Sequence, residues 1–502
     1  MRVALSRFSA AVPRTRPAKS RLMNPWPQTR AEREDVLARL DARLQKDPLA
    51  LDLALDRARL LAELNRSSEA RDAYLRIVAR APDHVRALND FGTFLLQGGF
   101  RAAARTAYER ALGLDPRSAL AHANLATVLF ADTDYAGACR HYEAALALDP
   151  QRFEAHQGLS YALTRLGRED EALVHRRIGF AERALTNAPY RGSRPPVDVL
   201  LLVCAGGGTL YTETFLDDRI FRTTTLVADI YAGAPPLPPV DIVFNAIGDA
   251  DRAAAALHAM ERLLAAVAVP VINAPKRVLA TARMANAARL ADIEGVLAPR
   301  IVTVPRAALA AEGAALVARQ GFAFPLLVRA PGFHTGQHFA RVASAGELAD
   351  AIAEFPGDDV LLIEYVDVRG ADGCVRKYRM LAVDGAFYPM HVAVARAWKV
   401  HFFSADMAED AANRAEDERF LADPARVLGA PAIAALERVR DVLGLEYAGI
   451  DFALDRDGRV VVFEANATMI VLPPGPNAIW DYRRAPVGRV VDAVRAMLLG
   501  RQ

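Results

Sequence analysis

The sequence predicts a multidomain protein in which an all-α array of helical repeats precedes a region of mixed α and β structure. Three observations support this prediction. Prolines recur every 34 residues in the N-terminal third, a continuous apolar run of strand length occupies residues 197–204, and two β-rich runs flank an Asp-Gly turn near the C-terminus. A chain of 502 residues is also too long for one hydrophobic core, so two or three domains are expected.

The N-terminal third carries a repeat with a period of 34 residues. The prolines that mark it each follow Asp or Ala, and they are Pro48, Pro82, Pro116 and Pro150. In units counted from residues 51, 85 and 119, small and aromatic residues recur at equal offsets: Ala58, Ala70, Tyr74, Gly92, Ala104, Tyr108, Ala111, Ala126, Ala138, Tyr142 and Ala145. This pattern resembles the tetratricopeptide repeat, a helix–turn–helix unit closed by a proline.

The resemblance predicts an all-α solenoid over residues 31–186, whose concave face binds a peptide or protein. The alternative is a scaffold that only dimerises or braces the rest of the chain. The fourth unit, counted from residue 153, has Arg176 where the aromatic residue belongs. We therefore expect this last unit to face something other than another repeat.

Two segments flank the predicted solenoid. Residues 1–30 contain seven basic residues and no acid. They are predicted to be a disordered basic tail, or to precede a true start at Met23, and an organelle transit peptide is a third interpretation. Residues 187–196, NAPYRGSRPP, are predicted to be a linker because adjacent prolines end the last helix.

Composition narrows the partners and the compartment. The net charge of +2 gives no reason to expect nucleic acid as a partner. No apolar run reaches the roughly 18 residues that a membrane span needs. The three cysteines, Cys139, Cys204 and Cys374, are far apart and form no metal-ligand spacing, which favours a reducing compartment. A cytoplasmic protein is therefore expected.

Residues 197–275 are predicted to form a small, doubly wound α/β lobe. Strand-like runs at 197–204, 241–248 and 270–275 alternate with a helical run at 251–267. Gly206, Gly208 and Tyr211 do not complete the G-x-G-x-x-G pattern, so a nicotinamide site is not favoured. We expect the loops of this lobe to help hold a substrate.

The most informative segment is a predicted hairpin at residues 447–469. Two strand-like runs flank an Asp-Gly turn, and in tight registers Asp451 lies opposite Val462 or Glu464. In both registers Asp451, Glu464 and Asn466 share one face, because side chains alternate with period two. Two carboxylates and an amide oxygen suit Mg²⁺. The alternative is a solvent-facing acidic hairpin, but apolar residues surround Glu464.

At this hairpin the chain resembles the ATP-grasp ligases, such as glutathione synthetase, D-alanine–D-alanine ligase and the ribosomal-protein glutamate ligases. Those enzymes carry two magnesium ions on the pattern D-x(12)-E-x-N, which Asp451, Glu464 and Asn466 match. The resemblance covers residues 197–502. It implies an α/β lobe that precedes an α+β ATP-grasp domain at residues 276–502, with ATP and two Mg²⁺ ions, or Mn²⁺ in their place.

The same resemblance implies roles for further residues. Cations that bind nucleotide would be Arg283 and Arg329, both where the family usually has lysine. A glycine loop over the phosphates would contain Gly332, His334, Thr335 and Gly336, and a hinge strand that holds adenine would contain Glu364, Tyr365 and Val366. Catalytic cations would be Arg379, Arg396 and Lys399. Each single arginine could equally be read as part of a surface ion pair.

These roles imply a carboxylate–amine ligase that works through an acyl phosphate, with a peptide or protein substrate on the repeats. One alternative is a non-catalytic adaptor that binds nucleotide and a protein partner, which the two lysine replacements favour. Another is a kinase-like enzyme that phosphorylates without ligating. ADP release that needs both a carboxylate and an amine would distinguish the ligase from the kinase.

Overall fold

The computed structural model describes residues 30–181, 183–333, 336–400, 402, 405, 407–475 and 477–501. The predicted tail, except for Arg30, and the predicted loop residues His334 and Thr335 lie outside the described residues. None of the described helices combines the length and the apolar character that a membrane span requires.

Nine helices occupy the described residues up to 181. They are α1 (Arg30–Lys46), α2 (Leu51–Glu63), α3 (Ser67–Arg80), α4 (Val85–Gln97), α5 (Arg101–Leu114), α6 (Ala119–Ala131), α7 (Tyr135–Leu148), α8 (Phe153–Arg165) and α9 (Glu169–Phe180). The even-numbered helices begin at the residues from which the repeat units were counted. The predicted helical repeat array is therefore confirmed.

Small and aromatic residues determine how closely these helices pack. A side chain at Gly92 would bring its Cβ within 2.6 Å of the ring of Tyr108, so only glycine permits this approach. Between units, Gly158 lies against Tyr142 in the same way. The hydroxyls of Tyr108 and Tyr142 each hydrogen bond to a threonine of their own unit at 3.0 Å. The recurring aromatic thus fills a gap that the small residues leave.

The rest of the chain contains fourteen described strands. They are β1 (Leu185–Asn187), β2 (Val197–Val203), β3 (Phe221–Val227), β4 (Ile242–Asn245), β5 (Val271–Ile272), β6 (Val296–Leu297), β7 (Ile301–Pro305), β8 (Leu326–Arg329), β9 (Phe339–Val342), β10 (Asp359–Glu364), β11 (Val375–Val383), β12 (Ala386–Ala395), β13 (Tyr447–Leu454) and β14 (Val460–Asn466).

The α-helices among these strands are α10 (Ala250–Leu264), α11 (Pro275–Leu279), α12 (Arg283–Leu290), α13 (Arg306–Glu312), α14 (Ala314–Arg319), α15 (Leu348–Ile352), α16 (Ala411–Ala422), α17 (Pro424–Leu428), α18 (Ala430–Leu443) and α19 (Arg484–Leu499). Short 3₁₀ turns occupy Ala345–Glu347 and Ala478–Arg483.

These strands form three sheets. The first has the order β1-β3-β2-β4-β5 and is parallel except for β1, as the alternation of strands and helices predicts. The second is an antiparallel sheet with the order β7-β10-β8-β9. The third has the order β12-β11-β13-β14-β6, in which only β6 is parallel to its neighbour. The chain is therefore a helical repeat array followed by a mixed α/β region with several sheets.

The first and third sheets share their hydrophobic cores, whereas the second sheet has its own. One shared cluster joins Leu201 and Phe244 of the first sheet to Tyr447 of β13 and Val490 of α19. The core of the second sheet contains Val304, Val328 and Leu362. Residues 197–275 therefore do not bury a core alone, because apolar residues from the C-terminal half complete it.

The last repeat packs on the loop that follows β2. Arg176 is only 5% exposed, and its Nη2 donates to Thr164 and Glu169 at 3.0 Å. Its Nη1 lies 3.4 Å from the position that a Cβ on Gly206 would take. Phe180 of α9 packs with Ala205 in the same loop. The departure from the repeat pattern at Arg176 thus coincides with this contact.

The segment predicted to be a linker, residues 187–196, is in contact with its neighbours on both sides. Its first residue belongs to β1, which pairs with β3 and begins at Leu185. Arg191 forms an ion pair with Asp218 of the α/β region at 2.8 Å and another with Glu63 of the first repeat at 3.4 Å. The described linker therefore connects both ends of the array to the first sheet.

Candidate functional site

A cavity of about 1040 Å³ lies between the second and third sheets. Strands β8 and β10 supply residues on one side, and β11, β12, β13 and β14 supply residues on the other. The loops after β2 and β4 also supply lining residues, as does Arg165 at the end of α8. Because three separate parts of the chain line this cavity, only the tertiary fold assembles it.

The fully buried carboxylate of Asp451 lies at one wall of the cavity. Arg379 Nε donates to Oδ1 at 2.6 Å and Nη2 donates to Oδ2 at 2.9 Å. Lys377 Nζ lies 2.6 Å from Oδ2. Burial alone would raise the pKa of Asp451, but attraction by Lys377 and Arg379 outweighs it and holds the pKa below its ordinary value. Asp451 is therefore ionised and holds two cations in place.

The hairpin register places Asp451 opposite Glu464, one of the two predicted pairings. The register shifts between Asp451 and Phe452, so that Phe452 pairs with Val462 and Phe463 is the extra residue. A sequence count assumes a regular ladder and cannot anticipate this bulge. Across it, the predicted placement of Asp451, Glu464 and Asn466 on one face is retained.

Glu464, the second predicted metal ligand, is partly exposed, with a side chain that is 27% accessible. Its Oε1 accepts from Asn466 Nδ2 at 2.9 Å and lies 3.6 Å from Arg283 Nη2. Both contacts use one oxygen, which leaves lone pairs on the other for a hard cation. Glu464 therefore fits a magnesium ion as it stands.

Asp451 and Asn466 have other partners in this structure. Both oxygens of Asp451 accept from cations, and Asn466 Oδ1 accepts from the amide and hydroxyl of Thr468 at 3.0 and 2.7 Å. Their predicted role as metal ligands stays a prediction, and the contacts instead make them supports for neighbouring side chains. Among the described residues, no three His, Cys, Asp or Glu side chains cluster closely enough for a metal ion.

Two of the predicted nucleotide-binding arginines, Arg283 and Arg329, line the cavity near Glu464. Burial lowers the pKa of Arg329 to about 10, and repulsion by Arg283 acts in the same direction. Arg329 also donates to the carbonyl of Phe333. Arg329 remains charged at neutral pH, because a pKa of about 10 is still well above 7. The guanidinium of Arg283 lies beside Glu464 at the same cavity.

The loop after β8 contains two glycines with left-handed backbone, Gly332 (φ +77°) and Gly336 (φ +73°). Lys399 Nζ donates to the carbonyl of Gly336 at 2.5 Å, and a Cβ at Gly336 would come 2.3 Å from Lys399 Cε. The predicted catalytic residue Lys399 thus fastens this loop. Gly336 lines the cavity, whereas Gly332 is not among its lining residues.

The predicted hinge residues Glu364, Tyr365 and Val366 line the cavity where β10 ends, beside the apolar side chains of Leu327 and Ile363. Glu364 exchanges backbone and side-chain hydrogen bonds with Arg300, at 2.9 and 3.2 Å. The guanidinium of Arg341 lies 4.7 Å from the ring centre of Tyr365. This end of the cavity is apolar enough to take a planar heterocycle.

The structure separates Arg396 from the other predicted residues. It lies just beyond the end of β12, is exposed, and does not line the cavity. Lys377, which the sequence analysis did not select, lines the cavity and lies beside Asp451. A signal for Lys377 was present, because it precedes Arg379 by two residues on one strand and so shares its face.

His391 is a second lining residue that was not foreseen. It lies opposite Arg379 in the pairing of β11 with β12, and its ring centre is 4.7 Å from that of Phe402. Burial lowers the pKa of His391 well below its ordinary value, and the charges of Arg379 and Arg483 act in the same direction. The imidazole is therefore neutral at physiological pH. No motif in the sequence singles it out.

Comparisons with known proteins identify the helical part alone. Residues 55–119, 89–151 and 124–190 match the tetratricopeptide repeat family, so this part of the chain contains such repeats. A comparison with curated protein sequences gives no match.

Among solved structures, the chain is similar to MamA (19% identity, TM-score 0.27, 30% of this chain and 89% of that chain). It is also similar to MamA from Desulfovibrio magneticus RS-1, with 21% identity, a TM-score of 0.28, and coverage of 31% of this chain and 88% of that chain. A third similar structure is pilF of Pseudomonas aeruginosa, with 21% identity, a TM-score of 0.29, and coverage of 30% of this chain and 69% of that chain.

Proposed function

We propose that the α/β region is an ATP-dependent carboxylate–amine ligase, in keeping with its sequence resemblance to ATP-grasp enzymes. The observation that carries the proposal is the cavity between the second and third sheets, which is apolar at the end of β10 and cationic toward β11 and β13. Adenine suits the apolar end near Glu364–Val366. The phosphates suit the end where Arg283, Arg329 and Lys377 converge.

In the first step, an oxygen of the substrate carboxylate attacks the γ-phosphorus, the bond to the β-phosphate oxygen breaks, and ADP leaves. Arg329, Lys377 and Arg379 offset the charge that develops on the phosphoryl oxygens. Asp451 contributes by fixing Lys377 and Arg379, so little reorganisation is needed when the reaction occurs. Glu464, oriented by Asn466, would hold Mg²⁺, which supplies charge neutralisation when it is bound.

In the second step, an amine attacks the carbonyl carbon of the acyl phosphate, phosphate leaves, and the amine loses a proton. Water would compete for the acyl phosphate. Gly336, fastened by Lys399, lines the cavity, and its loop would keep water from the reacting groups. The repeats provide a protein-binding surface, and we propose that the substrate is a peptide or protein.

A single experiment tests this proposal. The protein is incubated with ATP, Mg²⁺ and an extract of the source cells, and hydroxylamine is added to trap an acyl phosphate as a hydroxamate. We expect ADP release together with hydroxamate formation, and both should be lost in Arg329→Met. The matched control is Arg319→Met, because Arg319 is exposed and pairs with Glu312 outside the cavity. ADP release without hydroxamate would contradict the ligase.

One observation favours the non-catalytic adaptor as a second candidate. Both carboxylate oxygens of Asp451 already accept from protein cations, which a site built to hold two magnesium ions does not require. An adaptor would bind a fluorescent ATP analogue yet release no ADP with any extract. The same incubation therefore separates the two functions.

A further inference from the structure

The end of α8 brings the repeat array to the rim of the cavity. Arg165 is the last residue of this helix, its side chain is exposed, and it lines the cavity with Gly208, Thr209 and Arg252. The contact between Arg176 and Gly206 holds the fourth repeat against the same loop. Arg165 therefore belongs to a repeat that packs against the α/β region.

Other charged groups at this rim are already engaged. Asp249 accepts from the amides of Asp251 and Arg252 at 3.0 and 3.2 Å. Asp251 accepts from the amide of Arg283, and Arg252 donates to the carbonyl of Gly206 at 3.1 Å. Arg165 differs from these groups, because it has no hydrogen bond or ion pair with another described residue. A cation that is exposed at a cavity and lacks a protein partner is suited to a ligand anion.

The repeat geometry explains how a long ligand reaches this position. Glu63, Gln97, Ala131 and Arg165 lie 34 residues apart and therefore occupy equivalent places at the ends of α2, α4, α6 and α8. Glu63 contacts Arg191 near the first sheet, and Gln97 and Ala131 between them are exposed. This row begins at the first repeat and ends at Arg165, so a peptide that follows it ends at the cavity.

We propose that Arg165 is a specificity residue that holds a carboxylate of a peptide at the cavity rim, so that the substrate is recognised jointly by the repeats and the α/β region. This inference rests on the proposed function, and it narrows the substrate to a peptide that carries a carboxylate. The carboxylate belongs either to the C-terminus of the peptide or to an acidic side chain. A free amino acid could contact Arg165, but it is too short to contact the other positions of the row on the repeats.

The test uses the full chain and three dodecapeptides of alanine and glycine. One has a free C-terminus, one has a C-terminal amide, and one has a C-terminal amide and a single central glutamate. Trp398 and Trp480 both line the cavity, so intrinsic fluorescence reports binding there. We expect one of the two carboxylate peptides to bind about tenfold more tightly than the uncharged amide.

Two variants of Arg165 and one control decide the outcome. Arg165→Ala should remove the carboxylate preference, and Arg165→Lys should retain part of it because the charge remains. Arg168→Ala is the matched control, since Arg168 is exposed in the same repeat but pairs with Glu171 through two hydrogen bonds at 2.7 Å. Equal binding of all three peptides, no binding, or an unchanged preference in Arg165→Ala would overturn the inference.

The binding of a fluorescent ATP analogue and the formation of hydroxamate are measured on the same variants. If the peptides show no carboxylate preference that depends on Arg165, while nucleotide binding and hydroxamate formation persist, the inference on Arg165 is wrong and the proposed ligase function is retained. If nucleotide binding and hydroxamate are absent from the wild-type protein, the proposed function itself is wrong. The two failures are thus distinguishable.

Discussion

Arg379 donates two hydrogen bonds to Asp451 from the neighbouring strand, at 2.6 and 2.9 Å, and this carboxylate is fully buried. Lys377 approaches the same carboxylate from the same strand. The arrangement links the hairpin strand β13 to the two cations that we propose for phosphoryl transfer. It also predicts that Asp451 affects both the stability of the fold and the activity of the site, whereas Glu464 affects mainly the activity.

The first prediction concerns stability. Asp451→Asn leaves two partly buried cations without a counter-charge beside a fully buried side chain, so we expect the free energy of unfolding of the α/β region to fall by about 3–5 kcal/mol. Urea denaturation followed by circular dichroism measures the change. Asp457→Asn serves as a control, because Asp457 is 77% exposed in the same hairpin and its replacement should alter stability by less than about 0.5 kcal/mol. Equal stability of the Asp451 variant and wild type would mean that the ion pairs do not form in solution.

The second prediction concerns activity. Glu464→Gln should abolish Mg²⁺-dependent ATP consumption and leave the melting temperature nearly unchanged, because the side chain is partly exposed and the replacement keeps its shape. ADP release and differential scanning fluorimetry are the two measurements. Glu437→Gln, an exposed position on α18, should behave as wild type. ATP turnover at the wild-type rate in Glu464→Gln would exclude Glu464 as a ligand.

The third prediction concerns the boundary between the repeats and the α/β region. A fragment that begins at residue 183 keeps β1 on the edge of the first sheet, whereas one that begins at residue 197 exposes the backbone groups of β3. We expect both fragments to fold, since the α/β region has its own cores, and the longer one to melt at a higher temperature. Identical melting temperatures would show that β1 contributes nothing to the sheet.

The fourth prediction concerns pH and two histidine pairs that recur one repeat apart. The Nδ1 atoms lie 2.9 Å apart in His122–His141 and 2.8 Å apart in His156–His175. The first ring of each pair also contacts a proline carbonyl through Nε2. Each pair thus shares a single proton between its Nδ1 atoms when it is neutral.

Burial lowers the pKa of His141 and of His175, and in each case the partner histidine acts in the same direction. Arg140 lowers the pKa of His141 further, while Asp134 and Glu109 oppose it, and Glu143 and Glu171 oppose the shift at His175. A base whose pKa is lower in the folded state stabilises the fold above its unfolded pKa of about 6.5, and this stability is lost as the pH falls below that value.

The melting temperature of the repeats should therefore fall between pH 7.5 and pH 5. The control replaces each pair by the residues at the same places in the second repeat, Leu88 and Ala107, as H122L/H141A and H156L/H175A. In these variants the melting temperature of the repeats should depend much less on pH. Asp417, whose pKa burial raises to about 6, acts in the opposite direction in the α/β region, so the difference between variants is the quantity to compare. A pH dependence that survives in both double variants would contradict the prediction.

The sequence by itself determined the elements that depend on local periodicity. The repeat helices begin where the 34-residue count placed them, because each unit buries the same small and aromatic positions against its neighbours. The hairpin strands and the shared face of Asp451 and Glu464 also follow from local alternation. Arg176 signalled a changed environment, since a charged residue cannot replace a buried aromatic between two repeats.

Only the tertiary structure decided which residues meet. The bulge at Phe463, the pairing of Asp451 with Lys377 and Arg379, the displacement of Arg396 from the cavity, and the arrival of Arg165 at its rim depend on contacts between distant segments. Periodicity describes the direction of a side chain relative to its own element. It carries no information about the neighbouring element, and the roles of charged groups are set by those neighbours through distance and burial.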